Sequence, residues 1–255
     1  MAQPQLIGIL NITDNSFSHD GTIETGTDPL EKAHQLIASG AALLDVGAEA
    51  TNPWASPLTN AEEWARLEPV LGNLIEAYPG RISLDTHHPA TAEKALRLGL
   101  VILNDVTTFR DPAMVALAVE YQTRCIVSHM PFAAPSIQVA HEGPNVDSVY
   151  TVRDDLLTRA EEMIAQGVLK KNIILDPGIG FGKTMETNYN LLKFAELVPE
   201  FSVLIGHSRK RFIADHWGVE KTDVRANVTA ARIAARAGAK YLRVHDPENY
   251  VSLTK

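Results

Sequence analysis

The sequence predicts a single domain, residues 1–255, with the fold of an eight-stranded (β/α)8 TIM barrel. Eight short apolar runs alternate with longer stretches of helical periodicity, a pattern typical of parallel strands joined by right-handed crossovers. The runs are continuously hydrophobic, which indicates a sheet that is buried on both faces. A length of 255 residues is usual for one such barrel. A doubly wound open sheet is the competing architecture.

Local signals place the ends of several helices. Asp28 before a proline predicts an N-cap, and Thr59 with Glu62 three residues later predicts a capping box. Gly40 and Gly238 are typical of helix C-termini. The predicted helices are 28–40, 60–78, 89–99, 112–122, 148–167, 187–197 and 223–237. The predicted strands are Leu6–Asn11, Leu43–Gly47, Ile82–Asp85, Val101–Asp105, Cys125–Met130, Ile173–Asp176, Val203–Ser208 and Tyr241–His245.

Composition and charge exclude several classes of protein. The hydrophobic fraction of 45% and the charged fraction of 21% are ordinary for a globular protein. Cys125 is the single cysteine, so we expect no internal disulfide, and we expect its thiol to be buried in a strand. A net charge of −8 opposes binding to nucleic acid. The N-terminus lacks a secretory signal and no apolar run is long enough to span a membrane, so we expect a cytoplasmic protein.

Polar side chains lie at the carboxyl end of every predicted strand. In a closed barrel these ends meet at one mouth, which is where barrel enzymes carry their active sites. The pattern therefore predicts an enzyme site formed by residues from all eight strands. They are Asn11, Asp45, Asp85, Asn104 with Asp105, His129, Asp176, Ser208 and His245.

Two segments refine this prediction. The segment 176–184 nearly matches a nucleotide P-loop, but Pro177 stands where the first glycine should be, so we do not expect an ATP site. It would present Asp176 at a strand end, with Lys183 nearby. The loops after the last two strands of barrels often bind phosphate, and here they carry cationic and imidazole side chains. These are Arg209, Lys210, Arg243 and His245, and they predict an anion site in an acidic protein.

Some polar residues are assigned to the surface or to packing. His87 and His88 are adjacent, and neighbouring side chains on an extended segment point in opposite directions. No third ligand lies at a suitable spacing, so the sequence argues against a transition-metal site. Glu62 and Glu63 fall on a predicted helix and are expected on its solvated face.

Taken in order, these segments resemble the dihydropteroate synthases of folate biosynthesis over nearly the whole chain. The most specific signals are the string Asp-Pro-Gly-Ile-Gly-Phe-Gly-Lys-Thr at 176–184 and the triplet Ser-Arg-Lys at 208–210. Weaker matches are residues 8–13, 16–18, 45–49, 83–86, 104–105, 129–130 and 243–246. The resemblance implies a transferase that condenses 6-hydroxymethyl-7,8-dihydropterin pyrophosphate with para-aminobenzoate. The products are 7,8-dihydropteroate and pyrophosphate, and the expected substitution is dissociative and assisted by Mg²⁺.

The resemblance also implies a role for individual residues. A pterin edge offers a guanidine-like pair of donors, which a carboxylate can accept bidentately. The implied catalytic residues are Asp85, Asp176 and Lys210, which with Asn104 would also bind the pterin. The implied pyrophosphate ligands are Arg209, Arg243 and His245, and Asn11 would bind Mg²⁺. The implied aminobenzoate subsite contains Phe17, Thr51, Pro53 and Ser208. The resemblance further implies a homodimer, although the chain after Asp246 is short.

Two loops depart from the family pattern. The usual Asn-Val-Thr-Pro-Asp-Ser-Phe-Ser-Asp-Gly-Gly reads Asn-Ile-Thr-Asp-Asn-Ser-Phe-Ser-His-Asp-Gly at 11–21. The usual Glu-Ser-Thr-Arg-Pro-Gly has Asn52 in place of the arginine and Trp54 in place of the glycine. A pterin-binding homologue without synthase activity and a pterin-dependent methyltransferase are therefore alternatives. The basic segments near Lys210 and Arg243 favour the synthase, because a methyltransferase has no pyrophosphate to hold.

The altered second loop predicts weaker binding of sulfonamides, which are analogues of para-aminobenzoate, than in family members with the usual loop. We expect the double substitution Asn52→Arg, Trp54→Gly to increase inhibition by a sulfonamide, because it restores a cation and removes a bulky ring. Inhibition constants of the two proteins measured side by side would check this. Equal sensitivity would contradict the role given to this loop.

Overall fold

The computed structural model describes residues 3–12, 28–49, 57–131, 133–134, 136–141 and 146–254. Eight parallel strands form one closed barrel in chain order, and the last strand pairs with the first. The prediction of a barrel is therefore confirmed, and the alternative of a doubly wound open sheet is excluded. The strands are β1 (Gln5–Asn11), β2 (Leu43–Gly47), β3 (Ile82–Asp85), β4 (Ile102–Asp105), β5 (Cys125–Ser128), β6 (Ile173–Asp176), β7 (Ser202–Ile205) and β8 (Tyr241–Val244).

Helices follow the strands and cover the outside of the barrel. They are α1 (Pro29–Ala38), α2 (Asn60–Ala77), α3 (Pro89–Leu98), α4 (Pro112–Glu120), α5 (Ile137–His141), α6 (Val149–Ala165), α7 (Met185–Asn190), α8 (Arg211–Trp217) and α9 (Val224–Arg236). Short 3₁₀ helices span Lys170–Asn172, Leu191–Leu197 and Pro247–Leu253. The last of these follows β8 directly.

Two helices are absent from the sequence prediction, and one predicted helix is divided. α5 and α8 have only five and seven residues, too few for a clear periodicity. The predicted helix 187–197 is instead α7 followed by a 3₁₀ helix with non-helical angles at Lys193. The predicted end signals are confirmed at Asp28 and at the capping box of Thr59 and Glu62. Gly40 and Gly238 each lie just after a helix and adopt a positive φ.

The barrel interior is built in layers because side chains along a strand alternate between its two faces. A lower apolar layer consists of Ile7, Leu43, Ile102, Ile126, Ile174, Leu204 and Tyr241, all buried. The residue two positions later in each strand faces the same interior, one layer nearer the carboxyl ends. In five strands this position carries a polar side chain, namely Asp45, Asn104, Ser128, Asp176 and Arg243. Strand alternation thus places a polar layer directly on the apolar one.

Residues of the opposite parity point toward the helices and form the larger core. Cys125 belongs to this set and is fully buried, as predicted. Burial raises the pKa of its thiol to about 12. Trp64 and Trp217 pack against the same core from its edge. Among the described residues, no helix is long and apolar enough to cross a membrane.

Candidate active site at the barrel mouth

Asp45 in β2 is the hydrogen-bonding centre of the polar layer. It accepts a hydrogen bond from Ser83 Oγ at 2.7 Å. The amide of Asn104 donates to both carboxylate oxygens, at 3.0 and 3.2 Å. These contacts join three neighbouring strands, because β2 pairs with β3 and β3 pairs with β4. The predicted pterin residue Asn104 is therefore held in place by a carboxylate.

Arg243 in β8 connects this group to Asp176 across the barrel. Its Nη1 lies 3.0 Å from Asp45 Oδ2 and its Nη2 lies 3.3 Å from Asp176 Oδ2. The exposed fractions of the three side chains are 12%, 4% and 1%. Burial by itself lowers the pKa of Arg243, but the nearby Asp45, Asp176 and Asp85 raise this pKa by a larger amount, so the net shift is upward. The guanidinium thus stays charged and fixes both carboxylates.

A tight turn after β6 fixes the second oxygen of Asp176. The backbone N–H of Gly178 donates to Asp176 Oδ1 at 2.8 Å. Gly178 has φ +62, and an added Cβ would lie 2.0 Å from the carbonyl oxygen of His129, so glycine is required there. Lys183 is buried and donates to the carbonyls of Gly178 and Phe181, each at 2.9 Å. It therefore braces the turn.

Asp85 and Lys210 complete the predicted pterin group. Burial raises the pKa of Asp85 well above its usual range, and Asp45 adds to the shift while Arg243 opposes it. Burial also lowers the pKa of Lys210 to about 8, reinforced by Arg243 and opposed by Asp176 and Asp85. This mutual influence places both side chains in the same electrostatic environment as Asp176. The Lys210 ammonium lies 5.0 Å from the centre of the Phe181 ring.

The loops after β7 and β8 bring the predicted anion ligands together. Ser208 Oγ lies 3.0 Å from His245 Nδ1. Arg209 Nη2 donates to Asp246 Oδ2 at 2.6 Å, and its backbone adopts a positive φ of 57. Burial and the nearby Arg209, Lys210 and Arg243 lower the pKa of His245 to about 3, so this imidazole is neutral. The result is a group of cations beside the carboxylate layer.

The comparisons with known proteins agree with this geometry. A family model described as pterin binding enzyme matches residues 7–245. The dihydropteroate synthase of Neisseria meningitidis serogroup C is 39% identical over 254 residues, which cover 96% of this chain and 88% of that protein. This chain belongs to the dihydropteroate synthase family of pterin-binding enzymes. The family resemblance found in the sequence is thereby confirmed.

Solved structures of the family superpose closely on this chain. The Yersinia pestis dihydropteroate synthase, in a complex with a sulfonamide drug, has a TM-score of 0.88 and 30% identity and covers 99% of this chain and 92% of its own. The Burkholderia cenocepacia dihydropteroate synthase, in complex with 7,8-dihydropteroate, has a TM-score of 0.84 and 34% identity, with coverages of 99% and 89%. The barrel of this chain is thus a dihydropteroate synthase fold.

Two polar strand-end residues do not face the site with the others. Asp105 has the opposite parity to Asn104 and accepts hydrogen bonds from the backbone and hydroxyl of Thr107, both at 2.7 Å. His129 is fully buried, and its Nε2 lies 3.1 Å from Asp155 in α6. The expectation that both residues lie at the mouth is wrong. Side-chain alternation in β4 turns Asp105 away from the barrel interior, and β5 ends at Ser128, one residue before His129.

Four further residues implied by the resemblance are Phe17, Thr51, Pro53 and Asn11. Phe17, Thr51 and Pro53 lie outside the described residues. Asn11 is described at the carboxyl end of β1, half-buried and paired in register with Gly47. Its side-chain amide offers an oxygen of the kind that Mg²⁺ accepts. The proposed metal role of Asn11 is chemically compatible with this position.

The structure corrects the interpretation of His87, His88 and Glu63. The two histidine rings lie on the same side of the chain, with centroids 4.1 Å apart, because both residues follow the end of β3. Glu49 after β2 supplies a third potential ligand close to both. Glu63 is fully buried and accepts a hydrogen bond from Thr86 at 2.8 Å, so it is not solvated.

We expect Arg243→Met to reduce stability in a pH-dependent way. Without the guanidinium the raised pKa of Asp85 rises further, so the folded state holds its proton more tightly than the unfolded state. The contribution of this carboxyl to the free energy of unfolding is then fully present at pH values below its unfolded pKa of about 4. It is lost as the pH rises through the higher folded pKa. The expected deficit reaches about 3–5 kcal/mol at pH 8 and is smaller at pH 5.

Urea denaturation at the two pH values would measure this effect. Arg97→Gln is the matched control, because Arg97 forms an exposed ion pair with Glu93 within α3 and should contribute little. A deficit in Arg243→Met that is equal at both pH values, or larger at pH 5, would contradict the electrostatic role of this arginine.

Proposed function

We infer that this chain is a transferase of folate biosynthesis that condenses 6-hydroxymethyl-7,8-dihydropterin pyrophosphate with para-aminobenzoate. The products would be 7,8-dihydropteroate and pyrophosphate. The observation that carries this inference is the joining of Asp45, Asn104 and Asp176 by hydrogen bonds and by Arg243 at the mouth of a barrel of this family. Related enzymes are named for this product, and one of them holds it in its solved structure.

The polar layer would bind the pterin. Asp176 is paired with Arg243, and each of its oxygens keeps a lone pair after its protein hydrogen bond, so the two oxygens can accept two N–H groups of the pterin edge. Asn104 and Asp85 would complete the hydrogen bonds of the ring. Lys210 would donate to the pterin carbonyl and ring nitrogen. These side chains are held in place, because Asp176 is bound by Arg243 and by the backbone N–H of Gly178, and Asn104 is bound to Asp45.

The cations beside this layer would hold the pyrophosphate. Arg209 and Arg243 supply positive charge, and His245 could donate one hydrogen bond in its neutral form. Asn11 would hold a Mg²⁺ ion, which would supply positive charge beside the pyrophosphate. A hard ion that keeps several waters needs few protein ligands, so a single amide oxygen is sufficient.

The substitution would proceed by loss of pyrophosphate before attack. The bond between the pterin methylene carbon and the pyrophosphate oxygen breaks, and the electron pair leaves with that oxygen. The arylamine nitrogen then bonds to the methylene carbon and releases a proton. Asp85 would stabilise the cationic pterin between these steps, because a positive charge in the pocket favours the ionised carboxylate over the protonated form.

The second substrate and the oligomeric state are implied by the family resemblance. The second substrate would lie against Phe17, Thr51 and Pro53, with Ser208 at the boundary between this subsite and the anion site. The homodimer implied by the family stays a prediction for this chain.

Pyrophosphate release measured with and without para-aminobenzoate tests the activity. A synthase should release pyrophosphate in proportion to the dihydropteroate formed when both substrates and Mg²⁺ are present. A chain that binds the pterin substrate but releases no pyrophosphate under either condition would be a binding protein, and the proposed activity would be wrong.

We expect Asp176→Ala to abolish binding of the pterin pyrophosphate, because it removes the acceptor of the pterin edge. Isothermal titration calorimetry of the purified variant would measure this loss. Asp154→Ala is a matched control, since Asp154 lies on α6, is 62% exposed and pairs with the neighbouring Arg153. Retained binding in a folded Asp176→Ala protein would overturn the role of this carboxylate.

Lys210 should give the reaction an alkaline limit. Its pKa is lowered to about 8, so its positive charge is present below that pH and lost above it. We therefore expect kcat/KM for the pterin substrate to fall as pH rises through about 8. Lys210→Arg keeps its charge and should move this limit to higher pH, whereas the exposed control Lys240→Arg should not. An unchanged limit in Lys210→Arg would show that another group titrates.

A further inference from the structure

We propose that Glu49, His87 and His88 form a binding site for a divalent transition-metal ion such as Zn²⁺, separate from the Mg²⁺ expected with the pyrophosphate. Two imidazoles and one carboxylate are a ligand set used by zinc enzymes, with a fourth position open to water. Among the described residues, this is the one group of three such side chains whose ligand atoms come close enough to share an ion.

The distances fit one ion. Each residue offers one ligand atom, and these atoms all lie within 4.8 Å of one another. Glu49 Oε2 and His88 Nε2 are 3.6 Å apart, too far for a hydrogen bond. Two ligands bound about 2.1 Å from a tetrahedral zinc ion lie about 3.4 Å apart. The observed separation is therefore close to that of two ligands on the same metal.

The atoms that would bind the ion lack other partners. Within the described part of the chain, Glu49 Oε2 and His88 Nε2 are buried and have no hydrogen-bond partner. The exposed fractions of these side chains are only 7% and 17%. A buried polar atom without a partner costs free energy, and coordination of a cation would remove that cost. His87 and His88 remain partly accessible, so an ion can reach them.

The surrounding structure holds the ligands in position. Glu49 follows β2 and the histidines follow β3, and these strands are paired, so the barrel brings the two segments together. The backbone N–H of His88 donates to Thr86 Oγ1 at 3.1 Å, and that hydroxyl donates to the buried Glu63 at 2.8 Å. Contacts of this kind behind the ligands are typical of metal sites in proteins.

The ligand types select the class of metal. Mg²⁺ prefers oxygen ligands, whereas imidazole suits Zn²⁺ and neighbouring transition metals. The ion would link the end of β2 to the end of β3 next to Asp85, at the rim of the pterin site. This inference does not depend on the synthase activity, because it can be tested by metal binding alone.

Calorimetric titration of the untagged full-length protein with Zn²⁺ tests the proposal. We expect one equivalent to bind, and we expect Glu49→Gln, His87→Asn and His88→Gln each to weaken binding by at least about tenfold. Zn²⁺ should also raise the melting temperature of the wild-type protein more than that of any of these variants. Glu49→Gln preserves the size of the side chain, so it tests the site even if a histidine variant does not fold.

The control is His216→Gln, because His216 is an exposed histidine on α8, stacked on Tyr189 and remote from β2 and β3 in the chain. It should bind Zn²⁺ like the wild type. The absence of stoichiometric binding in the wild type would overturn the proposal. Unchanged binding in Glu49→Gln, or a loss in His216→Gln as large as in the site variants, would overturn it equally.

Discussion

The buried contact of Arg243 with Asp45 and Asp176 is the interaction on which the site depends. It joins β8 to β2 on one side and to β6 on the other, across the interior of the closed barrel. Burying these charges costs much of the Coulomb energy that their pairing returns, so the network contributes little net stability. Its effect is to orient two buried carboxylates at the carboxyl ends of the strands. A pterin, which presents several N–H donors on one edge, is the kind of ligand that such a fixed acceptor surface binds.

The barrel strands also position the remaining site residues. Alternation along the strands puts an apolar layer below and a polar layer above, so one periodicity provides both the core and the binding surface. The carboxylates stabilise the charged form of nearby cationic side chains, whereas burial destabilises the charged form of carboxylates and cations alike. Asp85 and Lys210 show the balance of these effects, since the pKa of one is raised and the pKa of the other is lowered toward neutrality. Both groups can therefore respond to the charge of a bound substrate.

The sequence predicts the fold well because the signals are local: apolar runs, helix caps and the number of repeats. It also places Asp176, Asn104 and Lys210 correctly at one end of the barrel. It fails where the outcome depends on contacts between distant segments. Counting alternate positions along β4 would have predicted that Asp105 points away from the site. The same count along β8 would have predicted that Arg243 faces the barrel interior with Asp45. The burial of Glu63 and the approach of Glu49 to His87 have no local signal, because they depend on the packing of α2 and on the pairing of β2 with β3.

The most direct test of the central claim is calorimetric binding of 6-hydroxymethyl-7,8-dihydropterin, which lacks the pyrophosphate, to the wild type and to Arg243→Lys. Lysine keeps the charge but cannot bridge two carboxylates with a planar fork. If Arg243 organises the pterin surface, the variant should bind this ligand at least about tenfold more weakly, as expected when charge-assisted hydrogen bonds are lost. If the variant binds it as the wild type does and loses affinity only for the pyrophosphorylated substrate, Arg243 is only an anion ligand and does not organise the pterin surface.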